Sequence, residues 1–403
     1  MHPKTVRVLL LEQIHPDAVE LLQSQGYDVT SLSHALDEDE LIEAIADVQL
    51  LGIRSKTNVT DRVLAAAPNL LAIGAFCIGT NQIDLVSATS HGVTVFNAPF
   101  SNTRSVVELA IAELISLTRR LSEKNAMMHA GTWDKSADGA HEIRGRTLGI
   151  VGYGNIGTQL SVLAENLGMR VLFYDTSDRL ALGNAQRSAS LKELLHDSDV
   201  VTLHVDGRPE NKNIFGEAEF AAMRDGSIFL NLSRGFVVDY AALRTHIESG
   251  HIVGAAVDVF PVEPKGRGDE FVSELRGLPN VILTPHIGGS TEEAQLDIGQ
   301  FVANKFVAFL GEGSTALSVN LPGLDLPRRQ DTLRMVHLHR NVPGVLARIN
   351  GLLAEHHVNV EAQLLGTRGE LGYVVTDSAS GVTQAIVDEI RAMPETIRLR
   401  VVF

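Results

Sequence analysis

One cysteine, Cys77, and one tryptophan, Trp133, occur in the chain's 403 residues. A lone cysteine excludes an internal disulfide and suits a reducing compartment, so a cytoplasmic protein is expected. Cys77 follows an apolar run and reads as a small core residue. Aromatic residues make up only 5%. Trp133, in the loop T-W-D-K, reads as a packing or interface anchor rather than a ligand contact. No uncharged apolar run reaches the ~18–20 residues that a membrane span needs. The opening M-H-P-K-T-V-R-V-L-L-L-E meets an acid at Glu12 and lacks a small-residue cleavage site, so it reads as a first strand and not a signal peptide. Basic charge is scarce too. Against 49 Asp and Glu stand 34 Lys and Arg, a net charge of −15. That balance argues against nucleic acid and anionic membrane as partners. It also sets a condition: an anionic substrate needs a local cluster of Arg and Lys to overcome the field of the whole chain.

What the chain does have is glycine in a telling place. Residues 147–175 read T-L-G-I-V-G-Y-G-N-I-G-T, then a helical run, then V-L-F-Y-D. A short apolar strand runs straight into Gly152, Gly154 and Gly157. The first permits a tight turn, the second lets a ligand approach the backbone, and the third lets helix pack on strand. The helix from about Ile156 to Leu167 points free N–H groups and a positive dipole end over those glycines, where a pyrophosphate fits. The next strand ends at Asp175, an acceptor for a ribose 2′-hydroxyl and a repellent for a 2′-phosphate. NAD is therefore the expected cofactor, and no metal is.

Strands and helices alternate from residue 6 to about 284, which predicts parallel sheets with helices on both faces. A long helix is expected from a cap at Ser101–Thr103 to about Arg120, or on to His129. A helix from about Thr291 to Leu310 should return the chain to its first unit. The expected fold is α/β: two doubly wound, Rossmann-like domains and a C-terminal ferredoxin-like βαββαβ unit. The expected bounds are 1–100 with 287–320, then 101–286, then 330–403, the last joined by a linker holding Pro322 and Pro327. The C-terminal unit has no nucleophile–base pair and no metal-ligand spacing, so it reads as regulatory or oligomerising.

Three residues stand at or just after strand ends on the dinucleotide side: Arg234 in N-L-S-R-G, Glu263 in D-V-F-P-V-E-P and His286 in T-P-H-I-G-G. Arg can grip a carboxylate bidentately and keeps its charge. His passes a proton near neutral pH, and an adjacent carboxylate raises its pKa and fixes its tautomer. With a nicotinamide, this trio describes oxidation of a 2-hydroxy acid. Arg54 and Lys56, after strand 49–53, are candidates for an anion site or a solvated pair.

The segments F-C-I-G-T-N-Q-I-D-L, N-A-P-F-S-N-T-R-S-V, G-Y-G-N-I-G-T-Q-L, N-L-S-R-G, A-V-D-V-F-P-V-E-P, T-P-H-I-G-G-S-T and G-Y-V-V resemble, as a set and over nearly the whole chain, the bacterial D-3-phosphoglycerate dehydrogenases that end in an ACT domain. These belong to the D-isomer-specific 2-hydroxyacid dehydrogenase family. The resemblance implies NAD-linked oxidation of 3-phosphoglycerate, the entry to serine synthesis, with Arg234, Glu263 and His286 as catalytic trio. It places Asn155, Ile156, Asp175, Leu232, Ser233, Asp258 and Gly288 at the cofactor, with Gly289 and the trio's Arg234 and His286 beside them. It assigns Arg54, Ser55, Asn102 and Lys135 to the substrate. It implies a homotetramer whose paired ACT domains bind L-serine through His339, Asn341 and Asn359. Two positions depart from the pattern. Asp206 stands where the family usually has proline, and no glycine lies between Gly323 and Gly344, where some members carry a glycine-pair hinge. Two other readings stay open: a different D-2-hydroxyacid dehydrogenase, such as one reducing 2-oxoglutarate, and a corepressor-like protein that senses NAD(H).

Overall fold

The computed structural model describes residues 5–264, 268–329, 331–379 and 382–402. The expected domain ends at Met1, Gln330 and Phe403 lie outside the described residues. The chain divides into two compact units, Met1–Pro99 with Gln295–Phe403, and Phe100–Ala294.

The first unit begins with a parallel sheet of β1 (Arg7–Leu10), β2 (Asp28–Ser31), β3 (Leu50–Ile53), β4 (Ala72–Ala75) and β5 (Thr94–Asn97), in the order β2-β1-β3-β4-β5. Every residue of β3 and β4 is buried, as a parallel strand covered on both faces requires. A Cβ on Gly74 would stand 2.5 Å from Val302, so the helix Glu292–Glu312 lies directly on this sheet. That helix carries the chain out of the second unit and back into the first.

The second unit is built on a seven-stranded parallel sheet. Its strands are β6 (Thr147–Val151), β7 (Arg170–Tyr174), β8 (Gln186–Arg187), β9 (Val200–Leu203), β10 (Ser227–Asn231), β11 (Ile252–Val257) and β12 (Val281–Leu283). Their order is β12-β11-β10-β9-β6-β7-β8. The order reverses between β6 and β9, the switch point where ligands of such sheets bind. The long helix ends near the first of its two expected limits, and one further helix was not expected. The long helix stops at Thr118; Arg120 takes φ 52°, and a separate helix, Leu121–His129, buries no residue. The sequence L-S-E-K-N-A-M-M-H has no apolar stripe, so no core holds it in line with the first helix. The N-cap is Asn102, which makes no side-chain cap bond. The helix Tyr240–Glu248 has no counterpart in the sequence reading.

The C-terminal residues form an antiparallel sheet of β13 (Leu333–Arg340), β14 (Val360–Arg368), β15 (Leu371–Ser378) and β16 (Thr396–Val402), in the order β14-β15-β13-β16. The helices Val345–Glu355 and Gln384–Arg391 bury Met335 and Val374 on one face. Val336, Leu338, Tyr373 and Val375 point the other way and pack on Leu321, Leu324 and Leu326 of the linker. Alternation thus buries both faces. The same side is tied down by side-chain donors. Arg334 donates to the carbonyls of Glu312 and Leu326 at 2.8 and 2.7 Å, and Tyr373 to that of Gly313 at 2.9 Å. Arg368 donates to Val319 at 2.5 Å, Arg400 to Phe309 at 3.0 Å, and Arg398 to Leu70.

Candidate active site

At the end of β6, Gly152 turns the chain at φ 94°; a Cβ there would meet the His204 carbonyl at 2.5 Å. A Cβ on Gly157 would meet the Gly152 carbonyl at 2.3 Å, so only glycine lets the helix Asn155–Asn166 sit this close to the strand. Nothing lies within 4 Å of a Cβ built on Gly154. Gly154 is also the N-cap and offers no side-chain cap. The first-turn N–H groups, with Asn155 and Ile156, thus face an open cradle of the kind a pyrophosphate fills. At the end of β7, the Asp175 carboxylate accepts from the N–H groups of Tyr153 and Ser177, both at 2.8 Å. Arg179 reaches it at 3.6 Å. An open cradle and an oriented acid fit NAD.

After β11 and β12, at the other edge of the same sheet, Nδ1 of His286 lies 3.0 and 2.9 Å from the two carboxylate oxygens of Glu263. A carboxylate only accepts, so Nδ1 carries the proton and Nε2 is left as the free base. The Phe260 N–H also donates to Glu263, at 3.1 Å. The hydrogen bond that His286 donates to Glu263 lifts the His286 pKa above its usual value, against the effect of burial; the Glu263 charge adds to it. Burial pushes the Glu263 carboxyl up, but His286, the Phe260 N–H and the Arg234 charge together outweigh it and hold the group below the usual carboxylate range. The Arg234 charge acts on both groups.

Arg234 sits where Asn231 places it. The Asn231 amide donates to the Arg234 carbonyl at 3.1 Å and to the Tyr240 hydroxyl at 3.0 Å, and accepts from Ser233. Tyr240 in turn donates to Val259 beyond β11, at 2.6 Å. The helix absent from the sequence reading therefore locks the Arg234 turn. Leu232 and Ser233 are buried in that turn. Asp258, expected at the cofactor, is buried, and its carboxylate is used within the protein. It accepts from the Thr284 hydroxyl at 2.7 Å and from the N–H groups of Ile287 and Gly288, each at 2.8 Å. A Cβ on Gly288 would stand 3.0 Å from Asp258, and one on Gly289 would stand 2.3 Å from Asn102.

Of the expected substrate residues, Arg54 and Ser55 lie in the first unit and Asn102 and Lys135 in the second. The Asn102 amide oxygen is buried without a partner, an acceptor in reserve; Lys135 is exposed. The loop after β3 reveals Glu12, which the sequence reading treated only as the end of a strand. Its carboxylate accepts from the N–H groups of Arg54 at 3.1 Å, Lys56 at 3.0 Å and Thr57 at 2.9 Å. A buried acid directly after an apolar four-residue run was the available signal.

A model of the D-isomer specific 2-hydroxyacid dehydrogenase, NAD binding domain, matches residues 111–288, and one of the AHAS small subunit-like ACT domain matches residues 335–398. The D-3-phosphoglycerate dehydrogenase of Haemophilus influenzae is 48% identical over 399 residues, spanning 99% of this chain and 97% of that protein. The one of Dictyostelium discoideum is 49% identical over 398 residues, with the same coverage of 99% and 97%. The chain belongs to the D-3-phosphoglycerate dehydrogenase family. Among solved structures, the D-lactate dehydrogenase of Aquifex aeolicus, complexed with NAD and lactic acid, superposes with a TM-score of 0.69 at 25% identity. That match covers 78% of this chain and 100% of the other.

In this member of the D-3-phosphoglycerate dehydrogenase family, the unusual Asp206 is neutralised locally. Arg208 grips it at 2.8 and 2.5 Å, and that hydrogen bonding holds its carboxyl below the usual range. The ACT-domain residues expected to take serine are placed differently from one another. Asn341 and Asn359 are exposed, donating to the Gly369 carbonyl and to Glu361, both at 3.2 Å. The His339 ring is buried against Gly372; its Nδ1–H donates to the Arg340 carbonyl at 2.8 Å and its Nε2 has no partner. Trp133 is 76% exposed, so it does not anchor the core of its own chain. No helix of the described residues is long and apolar enough to cross a membrane.

Proposed function

We propose that this chain oxidises D-3-phosphoglycerate to 3-phosphohydroxypyruvate with NAD, the first step of serine biosynthesis. The observation that carries the reading is the His286–Glu263 pair, under the charge of Arg234, at strand ends of the sheet that also bears the glycine turn. Bound NAD supplies the hydride acceptor. His286, its Nδ1–H fixed by Glu263, presents Nε2 to the substrate's C2 hydroxyl and takes that proton as C2 loses its hydride. The imidazolium so formed is stabilised by the Glu263 charge. Arg234 holds the C1 carboxylate, and Arg54 and Ser55 take the phosphate, with Asn102 and Lys135 as further substrate contacts. Gly152, Gly154, Gly157, Asn155 and Ile156 cradle the pyrophosphate, and Asp175 holds the ribose.

The same reading includes L-serine as effector at the ACT domains through His339, Asn341 and Asn359, a homotetramer, and a cytoplasmic setting. Exposed Trp133, Leu121 and Met128 support assembly. A single cysteine, bonded to the Gly79 carbonyl, supports a reducing compartment. The test is NADH formation from D-3-phosphoglycerate by the full chain, with and without L-serine, alongside calorimetry of serine binding. NADH formation from D-3-phosphoglycerate is the expected result. No turnover of that substrate, with good turnover of an unphosphorylated 2-hydroxy acid, sinks the substrate assignment. Absence of serine binding removes the effector.

A further inference from the structure

Glu113, on the helix Thr103–Thr118, is a carboxylic acid in the wrong kind of place. It is 3% exposed, and neither of its oxygens has a completed hydrogen bond. Burial first, and the neighbouring Asp258 carboxylate second, push its pKa up to about 8; the Thr284 hydroxyl beside it acts in the opposite direction. At neutral pH it therefore keeps its proton. The Thr284 hydroxyl already spends its own proton on Asp258 Oδ1, at 2.7 Å. What Thr284 has left is a lone pair, and what a protonated Glu113 has to give is an O–H.

We propose that Glu113 is a positioning residue for His286: its O–H donates to Thr284, orders the Thr284 hydroxyl toward Asp258, and so steadies the loop that Asp258 holds. Asp258 accepts from the N–H groups of Ile287 and Gly288, the two residues that follow His286. His286 itself takes φ 54°, a conformation a non-glycine residue keeps only when its surroundings impose it. The chain of donors, Glu113 to Thr284 to Asp258 to the loop, is such an imposition. It also leaves the Glu113–Asp258 pair with a single negative charge, which adds to the forces raising the His286 pKa. The inference rests on the dehydrogenase reading, which makes His286 the base.

Three variants of the full chain test it: Glu113→Gln, which keeps a donor; Glu113→Leu, which removes it; and Thr284→Val, which breaks the same chain one link on. Wild-type oxidation of D-3-phosphoglycerate is measured first, so that failure of that reading is seen separately. The His286 pKa is then read by NMR titration, assigned with His286→Gln, a readout that needs no turnover. Glu113→Gln should keep kcat/KM within about three-fold and leave the His286 titration in place. Above the Glu113 pKa of about 8 it should hold its activity better than wild type, because it cannot ionise. Glu113→Leu should stay folded and melt close to wild type, since a leucine fills the same buried site with an apolar side chain. Yet it should lose about ten- to a hundred-fold in kcat/KM, the scale of a misplaced catalytic group, and its His286 pKa should fall. Thr284→Val should follow Glu113→Leu, which keeps the proposal testable should Glu113→Leu not fold. An unchanged His286 titration in both Glu113→Leu and Thr284→Val overturns it, as does a Glu113→Gln enzyme as impaired as Glu113→Leu.

Discussion

Arg334 and Asp377 meet fork to fork across β13 and β15, at 2.6 and 2.7 Å, with neither side chain exposed. Two charges out of water are costly, and the pair is viable because Arg334 spends its remaining protons on the carbonyls of Glu312, Leu326 and Pro327. Removing one partner leaves the other charge stranded. Asp377→Asn should therefore cost about 3–5 kcal/mol in chemical denaturation. Replacing both by Met and Leu should recover most of that loss. A single variant with wild-type stability would show that water reaches the pair.

Glu263→Gln tests the base. Glu263 raises the His286 pKa, chiefly through the hydrogen bond. Oxidation needs neutral His286, so wild-type activity should rise with pH through that raised value. Without the carboxylate the pKa falls, and the acid limb of kcat/KM should move to lower pH. Turnover should drop by about 10²-fold as tautomer control is lost. An acid limb that stays where it was assigns the titration to another group.

Glu12→Ala removes the acceptor of three N–H groups in the loop that bears Arg54. A loss of about 1.5–3 kcal/mol in loop order is expected. It should appear as a KM for D-3-phosphoglycerate raised about ten-fold or more, with kcat little changed. Arg54→Ala should do the same, and both should affect an unphosphorylated 2-hydroxy acid much less. Equal losses on both substrates would remove the phosphate assignment.

Asp175→Ala should weaken NAD binding by about ten-fold, the scale of a lost charge-assisted hydrogen bond. Fluorescence titration with NADH and NADPH reads it directly. The gap between the two cofactors should narrow, since the repelling carboxylate is gone. An undiminished preference for NADH would place the discrimination elsewhere.

Much of this fold is legible in the sequence because its signals are local. Residues 333–340 and 396–402 alternate strictly enough to give both strands their observed bounds. Glycines 152, 154 and 157 announce a strand–turn–helix by spacing alone. The His286–Glu263 contact follows from two strand ends in one parallel sheet. Other features depend on partners distant in sequence. The helix Tyr240–Glu248 is short, and its Tyr240 matters through Asn231 and Val259. The break at Arg120 was legible only as the lack of an apolar stripe over residues 121–129, a weaker signal than a proline or glycine would give. Glu113 looks like any other acid until the fold buries it.

The arginines that bind the C-terminal sheet to the linker and its surroundings make that sheet a poor candidate for a portable cassette. Cutting the chain before Leu333 would orphan the carbonyls of Leu70, Phe309, Glu312, Gly313 and Val319 at one stroke. The severed piece would carry Arg368, Arg398 and Arg400 without the carbonyls they donate to. Transplanting this sheet onto another enzyme would mean transplanting the ledge of carbonyls with it.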